Sequence, residues 1–218
     1  MDALFLYGVN CTKDIWDPLI PLLPSWRCEI LSYPHSVTQK SVCLSDLAGW
    51  VSGQTAGRVY DAVIGHSLGG LIALELVARH SLSCGQIICL DTNLRPAGPF
   101  FRNLMTPSHM EQYGPQVSAM MAAERPYYTP ALMRALQGEF DYTGLLPAID
   151  IPVHLLLGDR GQADAVSRTG ELRLAPSALE RLQIQFVPDS CHMPMIENPK
   201  GLAEILVQVC SLGGRMIE

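Results

Sequence analysis

The sequence lacks the features that are typical of membrane proteins, nucleic-acid-binding proteins and disordered proteins. Only 17 % of its 218 residues are charged, and acidic residues exceed basic ones to give a net charge of −6. Lysine and arginine form no cluster, which argues against a nucleic-acid partner or an acidic membrane surface. No apolar run reaches the roughly 20 residues that a membrane-spanning helix needs. With 48 % hydrophobic residues, the chain is expected to fold as one globular domain with a buried core.

The cysteines also lack the spacing of a structural framework. All seven are scattered, no Cys-x-x-Cys pair occurs, and no histidine–cysteine spacing is typical of a zinc site. The first seven residues enter a strand pattern without the basic and long apolar segments of a secretion signal. We therefore expect a reducing compartment, the cytoplasm, and no metal or other cofactor.

Short apolar runs alternate with helical patterns along most of the chain. This alternation indicates β–α units and an α/β fold with a mostly parallel sheet flanked by helices. Strands are predicted over residues 4–7, 27–32, 59–64, 86–90, 153–157 and 182–187. Helices are predicted over residues 15–23, 44–51 and 68–81, and from Pro199 with Asn198 as its N-cap.

Residues 94–148 break this alternation. The segment is rich in methionine and aromatic residues, and prolines at 107, 115, 126 and 130 divide it into short pieces. It is predicted to form short helices that lie as a lid on the carboxyl edge of the sheet. Its apolar side chains either line a substrate pocket or form the core of the insertion itself. The expected organisation is a single domain, with residues 1–93 and 149–218 as the core and residues 94–148 as the lid.

A glycine-rich motif follows the third predicted strand. Residues 65–69 read Gly-His-Ser-Leu-Gly, between an apolar run and a helical pattern. At a sharp turn from strand to helix, small residues on both sides let the turn close and leave the Ser67 hydroxyl exposed above the sheet. The next amide lies at a helix N-terminus, where free N–H groups favour a developing negative charge. The alternative is a glycine-rich turn before an ordinary helix.

A serine hydroxyl needs a base beside it to act as a nucleophile, and six histidines are available. Surface positions without a role are predicted for three of them, namely His35, His80 and His109. His66 precedes Ser67 and should point away from its hydroxyl, while His154 should pack within a strand. His192 follows the last predicted strand and would therefore lie at the same sheet edge as Ser67. The alternative for His192 is a solvated loop position.

Several separated segments together resemble the α/β-hydrolase family. Residues 65–70 are similar to its nucleophile turn. Residues 190–199 are similar to its histidine segment, in which Glu and then Asn-Pro follow five residues after the histidine. Residues 6–9 are similar to the strand end before its oxyanion residue, and residues 146–153 to the lead-in of the strand that carries its acid. The order serine, acid, histidine is also that of the family.

This resemblance implies a catalytic triad with Ser67 as nucleophile and His192 as general base. The oxyanion hole would use the backbone N–H groups of Val9 and Leu68. The implied activity is hydrolysis of a small-to-medium apolar carboxylic ester or thioester through an acyl-enzyme. The same fold also serves cofactor-free lyases and ligand-binding proteins, which are the alternatives. The partner would be a small acyl substrate, and the oligomeric state stays open.

The resemblance leaves the acid of the triad open, because Gly161 stands where the family commonly has it. Asp159 leaves the strand end directly and is the preferred candidate. Asp164 and Asp91, the latter past the preceding strand, are the alternatives. The alternative role for Asp159 itself is to cap the turn at residues 160–161. The sequence also departs from the family at Tyr7, where a histidine is usual, and lacks the strand hairpin that usually precedes the first strand.

Overall fold

A computed structural model describes residues 1–213 of the chain. These residues contain eight strands: β1 (Asp2–Leu6), β2 (Arg27–Ile30), β3 (Val59–Tyr60), β4 (Ala62–His66), β5 (Ser83–Cys84), β6 (Ile87–Leu90), β7 (Val153–Gly158) and β8 (Gln183–Val187). Six of them form one sheet in the order β2–β1–β4–β6–β7–β8. Every neighbouring pair in that sheet is parallel, which confirms the predicted fold class.

Helices cover the sheet and connect its strands. The α-helices are α1 (His35–Thr38), α2 (Leu44–Gln54), α3 (Leu68–His80), α4 (Pro107–Gln112), α5 (Gly114–Glu124), α6 (Pro130–Gln137), α7 (Pro176–Leu179), α8 (Pro194–Glu197) and α9 (Pro199–Gly213). In the part of the chain described above, no helix is both long and apolar enough to span a membrane.

The register of the central strands sets the position of the predicted site. Every residue of β4, β6 and β7 is buried, as expected where helices cover both faces of a parallel sheet. His66 at the end of β4 pairs with Leu90 at the end of β6. Ser67 and Asp91 each follow one of these two paired residues, so they leave adjacent strands side by side.

Two sequence predictions differ from the structure near the amino terminus. Residues 15–23 do not form one helix but two 3₁₀ turns, Lys13–Trp16 and Ile20–Leu22. Prolines 18 and 21 have no backbone N–H to continue a helix, so the prediction was wrong there. The strand predicted over residues 59–64 is divided at Asp61, since β3 pairs with β5 in a separate two-stranded sheet.

Residues 94–148 form a series of short helices, as their proline spacing predicts. The four prolines noted above lie in the first turns of α4, α5, a 3₁₀ turn at Arg125–Tyr127, and α6. Proline suits this position because the first helical turn leaves its N–H groups without partners. Thr106 and Thr129 cap α4 and α6 with their hydroxyls. That this segment acts as a lid stays a prediction.

Candidate active site

Ser67 lies in a strained turn between β4 and α3. Its backbone has φ 52° and ψ −117°, a conformation that costs a non-glycine residue about 1–3 kcal/mol. The turn is tight enough that a Cβ on Gly65 would lie 2.3 Å from the carbonyl carbon of Gly69. Two hydrogen bonds to the end of β6 hold it, from Ser67 N–H to the Leu90 carbonyl at 2.9 Å and from the Thr92 hydroxyl to the Ser67 carbonyl at 3.1 Å. The strain is thus maintained by the neighbouring strand.

The segment after β1 passes directly beside this turn. A Cβ on Gly8 would lie 3.0 Å from Nδ1 of His66 and 3.1 Å from Cβ of Ser67. In the region that the structure describes, the N–H groups of Val9 and Leu68 donate no hydrogen bond. Leu68 begins a helix, where the first N–H groups have no intrahelical partner. Val9, Ser67 and Leu68 line the same cavity, and the use of these two amides as an oxyanion hole stays a prediction.

Tyr7 supports this segment in place of the histidine usual in similar sequences. Its hydroxyl accepts a hydrogen bond from the Tyr33 N–H at 2.6 Å, and the two rings pack with centroids 4.4 Å apart. Burial raises the pKa of Tyr7 to about 12, so its hydroxyl stays neutral and can keep this bond. The Tyr7–Tyr33 contact thus ties the end of β1 to the chain after β2.

His192 is held by a buried carboxylate. Its Nδ1 lies 3.0 Å from Oδ1 of Asp91, whose side chain is fully buried, while the His192 side chain is 27 % exposed. Although burial raises the pKa of Asp91, the charge of Arg160 and the hydrogen bond from His192 hold it well below its ordinary value. Asp91 is thus an ionised acceptor, and His192 donates to it through Nδ1. This leaves Nε2 as the ring nitrogen that can accept a proton.

Asp159, the acid preferred from the sequence, does not contact His192. Its Oδ1 accepts the Gly161 N–H at 2.8 Å, which is the turn-capping role that the sequence also allowed. Asp164 is exposed and pairs with Arg168 at 3.2 Å. The carboxylate that the structure brings to His192 is the remaining alternative, Asp91. Since the Asp159 side chain contacts its own loop and Asp91 contacts His192, the geometry favours Asp91, and the identity of the acid stays a prediction.

His66 links the turn of Ser67 to the loop of His192. Its Nε2 lies 2.8 Å from the His192 carbonyl oxygen, and the two rings lie 4.8 Å apart. Burial lowers the pKa of His66 to about 3, so the ring is neutral. Because a carbonyl can only accept, Nε2 of His66 carries the proton. Within the described residues no hydrogen bond joins the Ser67 hydroxyl to His192, an arrangement common in substrate-free active sites.

Glu197 fixes the loop that carries His192. Its carboxylate accepts hydrogen bonds from the N–H groups of Cys191 at 2.8 Å, Met193 at 3.2 Å and Thr106 at 2.8 Å. Burial raises the pKa of Glu197, and these three amides oppose that rise. His109, predicted at the surface, instead lies 3.4 Å from Glu197 with a side chain only 13 % exposed. A carboxylate that binds the amides on both sides of His192 leaves the loop little freedom.

A cavity of about 160 Å³ opens beside Ser67. Its apolar lining comes from Val9, Leu68, Leu71, Met133, Leu136 and Phe140, so part of the insertion faces the cavity. Asn93 is a polar lining residue whose buried Oδ1 has no hydrogen-bond partner among the described residues. A larger depression of about 610 Å³, lined by Asp2, Arg27 and Tyr60 among others, lies at the amino ends of β1 and β2, away from the serine. The small cavity is therefore the candidate substrate site.

Sequence reasoning missed two residues of this site. Asn93 lies in the run Asp-Thr-Asn at the end of β6, and polar residues directly after a buried strand could have indicated it. Arg160 follows Asp159 in a loop, where nothing in the sequence indicates that its side chain turns inward. In the structure it pairs with Asp91 at 2.7 Å and is fully buried in the site.

Comparisons with known proteins agree with this fold. The profile described as the Alpha/beta hydrolase family matches residues 10–205. An esterase from Thermogutta terrifontis superposes with a TM-score of 0.69 at 19 % identity, covering 98 % of this chain and 90 % of that one. An enol-lactonase from Burkholderia xenovorans LB400 superposes with a TM-score of 0.70 at 15 % identity, covering 96 % of this chain and 91 % of that one. At such identities these likenesses show the fold alone, and no curated protein sequence matches significantly.

Proposed function

Because the chain belongs to the α/β-hydrolase family, we propose that it is a serine hydrolase that cleaves a carboxylic ester or thioester through an acyl-enzyme on Ser67. The observation that carries this proposal is His192 hydrogen-bonded to buried Asp91 at the sheet edge where Ser67 lies, partly exposed, in its strained turn. A base, an acid that orients it and a nucleophile at one edge are the parts that acyl transfer needs.

The proposed reaction has two halves. Nε2 of His192 takes the proton of the Ser67 hydroxyl as its oxygen attacks the substrate carbonyl carbon. The N–H groups of Val9 and Leu68 hold the resulting oxyanion, and each such donor is worth about 3–4 kcal/mol of barrier in comparable sites. His192 then protonates the leaving alcohol or thiol, which departs as the C–O or C–S bond breaks. A water, deprotonated by His192, cleaves the acyl-enzyme and restores Ser67.

The cavity indicates the size of the acyl group. A volume of about 160 Å³ corresponds to roughly five water molecules at about 30 Å³ each. This favours short acyl groups of a few heavy atoms over long chains. The apolar residues of the lining would bind the hydrocarbon part of such a group. The substrate is thus proposed to be a short-chain ester or thioester.

The test is labelling with a fluorophosphonate together with hydrolysis of p-nitrophenyl butyrate. The wild type is expected to react at one serine and to turn over the ester. Ser67→Ala should lose the label and at least about 10³-fold in kcat. Ser118→Ala, at an exposed position on α5, is the matched control and should keep both. A folded Ser67→Ala variant that still hydrolyses the ester would contradict the proposal. Labelling of Ser67 in a wild type that does not hydrolyse the ester would favour the lyase.

A further inference from the structure

Arg160 directly precedes Gly161, the position where sequences similar to this one commonly carry an acid. It follows β7 at the carboxyl edge of the sheet, with a backbone φ of 60° that directs its side chain inward. The side chain is 1 % exposed, although arginine is rarely buried without several partners. A guanidinium buried to this extent needs hydrogen-bond partners and an opposite charge.

The contacts of Arg160 converge on Asp91. Nη1 donates to Oδ2 of Asp91 at 2.7 Å and Nη2 donates to Oδ1 at 2.9 Å, which makes the pair bidentate. Asp91 also accepts the Gly158 N–H at 3.0 Å and Nδ1 of His192 at 3.0 Å. A carboxylate has about four acceptor positions, so all of those on Asp91 are occupied. Asp91 therefore has one orientation, in which Oδ1 faces His192.

The remaining donors of Arg160 fix the guanidinium itself. Nε donates to the Phe100 carbonyl at 3.2 Å, and Nη1 also donates to the Gly158 carbonyl at 2.5 Å. The guanidinium carbon lies 4.9 Å from the centroid of the Phe101 ring. These contacts come from β7 and from the start of the 94–148 segment, so the arginine cannot turn away from Asp91 without losing several of them.

We propose that Arg160 is a positioning residue of the active site: it orients Asp91 towards His192 and offsets part of the negative charge that Asp91 places beside the imidazole. This inference rests on the proposed function, because it assigns Arg160 a role in the same site. A lone buried carboxylate would stabilise the protonated imidazole, and a neighbouring guanidinium weakens that effect. Arg160 acts on the reaction through Asp91 and touches no reacting atom.

Other charged or titratable groups near His192 do not replace this effect. On its own loop are the Cys191 thiol, whose pKa burial raises to about 12, and the Glu197 carboxylate. His66, from β4, is neutral. Asp159 lies beyond β7 and caps its own turn. His109, from the 94–148 segment, contacts Glu197 and not His192.

The test compares variants of Arg160 by the pH profile of kcat/KM and by the NMR titration of the His192 imidazole. Arg160→Gln removes the charge, so the acidic limb and the imidazole titration should both move upward by at least about 0.5 pH unit. Its kcat should fall by about 10- to 100-fold through lost positioning. Arg160→Lys keeps the charge and should leave both midpoints in place, while kcat still falls because the bidentate contact is lost. Arg168→Gln is the control, because it removes an exposed arginine that also lies over the Phe100 ring. It should change neither the two pH midpoints nor kcat.

The outcomes separate this inference from the proposed function. A folded Arg160→Gln variant with unmoved midpoints would show that the arginine is only structural and would overturn the inference. If that variant does not fold, an Arg160→Lys variant with unchanged kcat would overturn it instead. If the wild type does not react with the fluorophosphonate, the proposed function fails. The NMR titration needs no turnover, so it still tests the effect of Arg160 on His192 in that case.

Discussion

His192 and Asp91 are 101 residues apart in the chain, yet a 3.0 Å contact joins Nδ1 of one to Oδ1 of the other. The contact runs from the loop after β8 to the end of β6 and passes over β7 between them. A buried acceptor on Nδ1 fixes the tautomer and the ring orientation of a histidine base. The family resemblance alone left three carboxylates for this role, and the geometry favours Asp91.

The identity of the acid can be tested with three matched substitutions. Asp91→Asn is expected to lower kcat for p-nitrophenyl butyrate by about 10³- to 10⁴-fold, because an amide facing Nδ1 favours the wrong imidazole tautomer. Asp159→Asn and Asp164→Asn should stay within about twofold, since both side chains contact their own loops. Thermal unfolding of each variant separates lost catalysis from lost folding. A large loss of kcat in Asp159→Asn alone would favour the acid that the sequence suggested.

Asn93 is expected to select substrates that carry a hydroxyl near the scissile carbonyl. Its Oδ1 is buried in the cavity wall and has no partner within residues 1–213, and a buried acceptor gains from a donor that a substrate supplies. Asn93→Leu should lower kcat/KM for p-nitrophenyl 3-hydroxybutyrate relative to p-nitrophenyl butyrate by about 10- to 100-fold. Gln137→Leu, an apolar change at the exposed side of the same cavity, should leave that ratio unchanged. Equal ratios in wild type and Asn93→Leu would exclude this contact.

We expect Glu197 to contribute both to the stability of the fold and to the activity. Glu197→Gln replaces one carboxylate oxygen by an NH₂ group that faces backbone donors, so at least one buried N–H loses its acceptor. Urea unfolding should show a loss of about 1–3 kcal/mol in the free energy of unfolding. Activity should fall as well, because the amides of Cys191 and Met193 lie on either side of His192. Glu204→Gln, exposed on α9, should change stability by less than about 0.5 kcal/mol.

Patterns that are local in the sequence predicted most of the fold. The buried strands of the main sheet are short apolar runs, and the turn at Ser67 is recognisable from glycines two residues to either side. The helix predicted over residues 15–23 does not form, because the prolines at 18 and 21 interrupt an apolar spacing that is otherwise helical. The position of His192 followed from one rule, that parallel strands end at the same edge of the sheet.

The choice among the carboxylates could not be made in this way. Asp91 and Asp159 both follow buried strands, and their side-chain directions depend on the loops after them. The backbone of Asp91 has φ 40° and that of Arg160 has φ 60°. Positive φ values are uncommon outside glycine, and the identity of these two residues does not predict them. The group from the loop after β7 that lies against Asp91 is the guanidinium of Arg160. Only the three-dimensional arrangement shows which charge turns inward.

Three consecutive residues at the end of β6 each have a different task. Asp91 holds the histidine, Thr92 braces the carbonyl of Ser67, and Asn93 forms part of the cavity wall. Insertion or deletion of one residue after Leu90 would therefore misplace the base, loosen the nucleophile and reshape the cavity in a single event. A change of residue type at one of these positions alters one contact, whereas a change in the length of this segment alters all three.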